Sequence, residues 1–137
     1  MKSLWIDREI AYDGSQLRSL FAYLDHGLLG DSIVAFEGPC RVSFEHMIDG
    51  EDLLAQSPIQ GDGMLHFIVE KFHLPLFAGV ALQRLLASLC LELLCEKAAA
   101  SARQEDLRRE GDDIFWGAKK LSISIATASP VSSLIHF

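Results

Sequence analysis

One stretch constrains this chain more than any other. From Pro75 to about Ala100 the residues are almost all apolar or small, and the polar Arg84, Ser88, Glu92 and Glu96 recur every four positions. That spacing places the polar groups on a single stripe of one long α-helix, with Pro75 near its first turn. Nearly everything else on the helix is apolar, so sheet and loops are expected to cover most of its circumference. Gln83, Arg84 and Glu92 at mid-span would be expensive in lipid. The segment therefore reads as a core helix, and no membrane partner is expected.

The flanks of this helix read mostly as strands. Short strands are predicted at residues 3–6 and 31–37, the second ended by Gly38-Pro39. Ser15 stands before LRSLFAYL as a possible cap, and Leu17, Leu20, Phe21 and Leu24 share one helical face. Residues 51–56 give one helical turn, and Gly61-Asp62-Gly63 leads into the β-rich MLHFIVEKF. After a charged connector over 102–110, DDIFW and KKLSISIAT read as two strands joined around Gly117-Ala118, and VSSLIHF supplies a last strand. Strands at both ends and one dominant helix between them define an α+β fold, a mostly antiparallel sheet packed against one long helix.

Residues 1–137 have the size of a single domain, and half of them are hydrophobic, which excludes intrinsic disorder. Twelve basic against nineteen acidic side chains leave a formal charge of -7, so no DNA partner is expected. Three cysteines without a CxxC pair do not make a disulfide framework. They point to a reducing, cytoplasmic compartment, as does an N-terminus whose Asp7 and Glu9 precede any signal-like apolar run.

The strongest chemical signal lies near the C-terminus. In KKLSISIAT, period two puts Leu121, Ile123 and Ile125 on one face, and Lys120, Ser122, Ser124 and Ala126 on the other. A lysine followed by small hydroxyl residues leaves room for a ligand, and its ammonium suits a carboxylate or phosphate. The competing reading is a solvated sheet face, the default for antiparallel sheets.

The run GDDIFWGAKKLSISIAT resembles the catalytic strand pair of the biotin and lipoate-protein ligases. Asp112-Asp113-Ile114 occupies their Asn-Asp-Leu positions, and Lys119-Lys120-Leu121 their Arg-Lys-Leu positions. The resemblance implies that Lys120 contacts an acyl carboxylate and an adenylate phosphate. The Arg- and Gly-rich segment of those ligases is reduced here to Gly38-Pro39-Cys40-Arg41-Val42. Over nearly its whole length the chain also resembles an archaeal and bacterial family known as domain of unknown function 366. Its segments MKSLWIDREIAYDGSQLRS, GDSIVAFEGPCRV, HMID, MLHFIVE and KKLSISIATASPVSSLIH occur here in order. That resemblance implies a class II aminoacyl-tRNA synthetase or biotin synthetase-like fold, assigns no reaction and no cofactor, and implies a further C-terminal strand, since members run longer.

Together these readings make a small-molecule ligand the expected partner, an anionic acyl or nucleotide compound with acyl transfer as the associated chemistry. Lys120 and Asp113 are the candidate catalytic pair, and Arg41, Asp112, Ser122 and Ser124 the candidate ligand contacts. A non-catalytic scaffold that kept the fold is the alternative. Cys40, His46 and Asp49, spaced C-x5-H-x2-D with His66 and His136 on other strands, are the candidate metal ligands. The spacing matches no recognised structural site, so a loop with a buried histidine and a free thiol is expected instead of bound zinc. Cys40 with His46 as nucleophile and base is the other reading of the pair. The apolar C-terminal strand is expected to form an exposed sheet edge, covered by a homodimer.

Overall fold

In the computed structural model, which describes residues 1–56, 58–98 and 106–137, twelve elements follow one another. They are β1 (Lys2–Ile6), α1 (Phe21–His26), β2 (Ser32–Val42), a 3₁₀ turn (Phe44–His46), α2 (Gly50–Ala55), β3 (Ile59–Phe72), α3 (Leu76–Ala98), β4 (Leu107–Glu110), β5 (Asp113–Trp116), β6 (Lys119–Lys120), β7 (Ile125–Ala128) and β8 (Ser132–His136). A five-stranded mixed sheet has the order β1-β2-β3-β8-β7, with β1 and β2 parallel and the other neighbours antiparallel. A smaller antiparallel sheet is ordered β4-β5-β6. The fold is α+β, a mixed sheet with one long helix.

Alternation along β2 sets the layers. Ser32, Val34, Phe36, Gly38 and Cys40 are buried while their neighbours are partly or fully exposed. The buried face continues through Ile68 of β3 and meets Tyr12, Phe21 and Ala22 from the N-terminal segment, forming the larger core. On the opposite face, Ala87 of α3 packs with Ile114 and Phe137 in a second cluster. Gly79 of α3 lies so close to β8 that an added Cβ would stand 3.2 Å from that of Ser133.

Several expectations are corrected. The helix expected from Ser15 begins only at Phe21, because Leu20 adopts a left-handed backbone (φ 66°) and donates its amide to the buried Glu70 carboxylate at 2.8 Å. Leu17 and Phe21 are buried as expected, but Leu24 faces solvent. Gly38-Pro39 does not end β2; the strand passes through a register shift between Gly38 and Cys40 and runs on to Val42. The charged connector is in its second half β4, and its residues 102–105 lie outside the described residues. Strand β8 is no edge, since it lies between β3 and β7, so the physical reason given for a homodimer falls away. The cover expected around α3 is also missing among the described residues, for only Gly79, Gln83 and Ala87 on that helix are buried.

Gly38 is required by a close approach. The segment after β1 runs along β2, Ile10 donating to the Glu37 carbonyl and Tyr12 to that of Pro39, both near 2.9 Å. A Cβ on Gly38 would lie 2.0 Å from the Ile10 carbonyl oxygen, where backbone cannot yield cheaply. Gly38→Ala is expected to cost at least about 2–3 kcal/mol and lower Tm by roughly 6–12 °C in thermal denaturation. Gly63→Ala, with nothing within 4 Å of the new Cβ, is expected to stay within about 0.5 kcal/mol of the native protein.

Candidate functional site

The strand expected over KKLSISIAT is broken in the middle. β6 pairs with β5 through only Lys119 and Lys120, and residues 121–124 then carry the chain to β7 in the larger sheet. Leu121 donates one last backbone bond to Ile114, but the Ile114 amide is met by the Ser122 hydroxyl at 2.8 Å instead of a backbone carbonyl. A side chain replacing a ladder partner ends the pairing. The period-two faces fail accordingly, with Leu121 exposed and Ser122 buried.

Lys120 sits on the last paired position, opposite Phe115, and reaches diagonally to Asp113 on the same face of β5. The Nζ–Oδ1 distance is 2.9 Å. Both side chains retain solvent contact, so the pair contributes no more than about 1 kcal/mol and can exchange partners. Lys119 forms no ion pair among the described residues and is exposed.

Asp112 has a different environment from its neighbour. Its Oδ2 accepts from Gln83 Nε2 at 2.7 Å and from the Ser124 hydroxyl at 2.8 Å, and Gln83 also donates to Ser124 at 2.8 Å. Gln83 is buried on α3. This triangle ties the helix to the residue before β5 and to the segment between β6 and β7. Asp112 and Ser124 are thus held in a structural brace, and Ser122 is occupied by the Ile114 amide.

A small cavity of about 50 Å³ opens beside Lys120, bordered also by Ser124, Tyr12, His46, Asp49 and His136. Behind it lies a buried histidine pair. His66 Nε2 lies 3.1 Å from the Gly38 carbonyl, which can only accept, so that nitrogen carries the proton. His66 Nδ1 then accepts from His136 Nε2 at 3.0 Å, which leaves His136 Nδ1 as a bare acceptor without a partner among the described residues. The Tyr12 ring stacks on His136 with centroids 3.7 Å apart. Burial holds both imidazoles neutral: it pushes His66 below the usual range, and it pushes His136, with help from the neighbouring His66, down to about 3.

Other candidate residues fall elsewhere. Arg41 is largely exposed near the end of β2 and pairs with Asp62 at 3.3 Å, and neither residue borders the cavity. Cys40 is fully buried, and burial pushes its thiol up, which opposes a nucleophilic role with His46. His46 and Asp49 reach the cavity, but no three His, Cys, Asp or Glu side chains among the described residues converge as metal ligands. Tyr12, Gln83 and the hydrogen bond between the histidines were not readable as site components. His66 and His136 are seventy positions apart, and only the strand register that pairs Ile68 with His136 brings them together.

Residues 1–137 match the family model described as a domain of unknown function, DUF366. The chain belongs to the DUF366 family. A curated relative, an uncharacterised protein of Methanocaldococcus jannaschii, is 30% identical over 141 residues, which cover 99% of this chain and 61% of that protein. The chain thus spans 61% of the length of the curated relative it matches. A solved structure of a protein of unknown function from Pyrococcus horikoshi is 45% identical, with a TM-score of 0.90 over 99% of this chain and 71% of that one.

The neutral histidines make stability depend on pH. Both have folded pKa values below the ordinary 6.5, so the unfolded chain binds more protons as pH falls through that value. Their stabilising effect is complete above about pH 6.5 and is lost on acidification, by roughly 1.4 kcal/mol per pH unit for His136, with His66 acting in the same direction. Asp13 and Asp31, lowered from 3.8 by hydrogen bonds from Ser15 and Lys71 respectively, act only at lower pH. Thermal denaturation is therefore expected to show Tm falling between pH 6.5 and 4.5, with a much shallower slope in a His66→Gln/His136→Gln double variant.

Proposed function

We propose that this protein binds a small carboxylate-bearing molecule at the Lys120 cavity, on a fold of the class II synthetase and biotin ligase kind. The observation that carries the reading is Lys120 itself. Lys120 borders the cavity, and its ammonium is held by a single exchangeable ion pair to Asp113. A ligand carboxylate can displace or bridge that pair, because an exposed ion pair is worth little. The bare Nδ1 of His136 offers an acceptor to a ligand O–H or N–H at the same cavity.

Size favours one of the two ligand classes. A buried water needs roughly 10–15 Å³ of such space, so a cavity of about 50 Å³ takes a group of a few heavy atoms. A carboxylate head enters; a whole nucleotide does not. The fold assignment rests on the ligase resemblance of the segments that hold β5 and β6, strands that also bring Asp113 and Lys120 together. Acyl transfer is the chemistry that this resemblance suggests for such a carboxylate, with Lys120 stabilising negative charge. A non-catalytic scaffold is the second reading. It is favoured by the engagement of Asp112, Ser122 and Ser124 in internal hydrogen bonds.

A thermal-shift screen of octanoate, lipoate, biotin, free amino acids and ATP tests the proposal. One of the carboxylates is expected to raise Tm, since a ligand at a hundred times its Kd stabilises by about 2.7 kcal/mol. For that ligand Lys120→Ala is expected to cost about 1.5–3 kcal/mol of binding, and Lys119→Ala no more than about 1 kcal/mol. No shift with any carboxylate, or equal losses at the two lysines, leaves the scaffold reading standing.

A further inference from the structure

The side of α3 that faces away from the sheet is apolar. Gly79, Gln83 and Ala87 form the buried row; the row opposite, at the same four-residue spacing, is Phe77, Ala81, Leu85, Leu89 and Leu93. All five are exposed, the four large ones from 47% at Leu89 to 86% at Phe77. A row of this kind is a packing ridge about 24 Å long. An apolar ridge left in water along a whole helix marks an interaction face.

Beside it runs the polar row Arg84, Ser88, Glu92 and Glu96. Arg84, Glu92 and Glu96 form no ion pair among the described residues, so their charges are free to serve a neighbour. The order of charge is directional, a cation toward the N-terminal end and anions toward the C-terminal end.

We propose that α3 is a self-association face, packing antiparallel against α3 of a second copy about a two-fold axis near Ser88 and Leu89. A two-fold contact is self-complementary, and two antiparallel helices related by it carry their polar rows on the same side of the seam. Centred on Leu89, the apolar row sets Leu85 against the partner's Leu93 and Leu89 against the partner's Leu89. Centred on Ser88, the polar row sets Arg84 against the partner's Glu92, and symmetry repeats the pair. The two centres differ by one residue, which offsets the charge pairs by two residues, about 3 Å of rise, within the reach of flexible side chains. A parallel pair, related by a two-fold along the seam, would carry the two polar rows to opposite sides, where Arg84 and the partner's Glu92 do not meet. A lipid surface would have to accommodate Arg84 and Glu92 beside the middle of the ridge. The charge pattern selects a second, antiparallel copy.

Sedimentation equilibrium of the full chain over a hundredfold concentration range tests this. A monomer–dimer equilibrium is expected. Leu89→Glu should abolish the dimer without lowering Tm of the monomer, because Leu89 packs outside the core. Arg84→Glu should weaken association about tenfold or more at low salt, and Arg84→Glu/Glu92→Arg should restore it, since the double exchange rebuilds both pairs only in the antiparallel register. A monomer at every concentration overturns the proposal, as does a dimer indifferent to Leu89→Glu or a double variant that fails to recover. Flotation of a monomeric chain with phosphatidylcholine/phosphatidylglycerol vesicles would assign the ridge to lipid instead.

Discussion

The crossing of two backbones at Gly38 organises the half of the molecule that holds the candidate site. With no side chain there, Ile10 lies directly over β2, and the segment that follows is pinned by hydrogen bonds to Glu37, Pro39 and Arg41. The same residue uses its carbonyl to hold His66. Tyr12 is thereby laid across the histidine pair, and the cavity gains one of its walls. Spread the two strands by a single methyl group and the stacking, the histidine protonation pattern and the cavity wall are all displaced together. A glycine is needed here because another backbone occupies the space where Cβ would go.

The other wall comes from a strand that stops early. Ser122 captures the Ile114 amide, the chain leaves the small sheet, and Gln83 collects the departing segment through Ser124 while holding Asp112 on the near side. Lys120 is the last residue before this departure, so its side chain stands at a junction between two sheets. A continuous strand would have left it on an ordinary solvated face.

Patterns that depend on near neighbours were legible in the sequence; those that depend on distant partners were not. The long helix was readable because a four-residue recurrence survives any context, and its observed span, Leu76–Ala98, lies inside the expected one. The start of α1 was not, because the Glu70 carboxylate, fifty positions away, takes the Leu20 amide and turns the backbone left-handed. β2 was cut short on paper at Gly38-Pro39, since nothing local reveals the N-terminal segment that supplies the missing hydrogen bonds. Lys120 and Asp113 were singled out together by the resemblance to the ligase strand pair, and they lie within ion-pair distance. Ser122 and Ser124 were assigned to an open face by period two, which failed where a hydroxyl outcompeted the ladder. The exposed ridge of α3 ran against expectation for a different reason: periodicity reports which residues avoid water, not whether one chain has enough surface to hide them all.

The adjacent aspartates show how environment divides two identical side chains. Asp112 faces a buried amide and a hydroxyl on an internal face, where losing one partner would strand a polar group away from water. Its carboxylate is committed to holding α3 against the sheet junction. Asp113 points the other way, into a half-solvated ion pair whose components can each return to water at little cost. Rigidity on one face and exchangeability on the other give Lys120 a fixed backbone origin and a counter-ion that is not committed elsewhere. One residue of strand alternation produces that division, and the Gln83 brace keeps it from relaxing into a symmetrical pair.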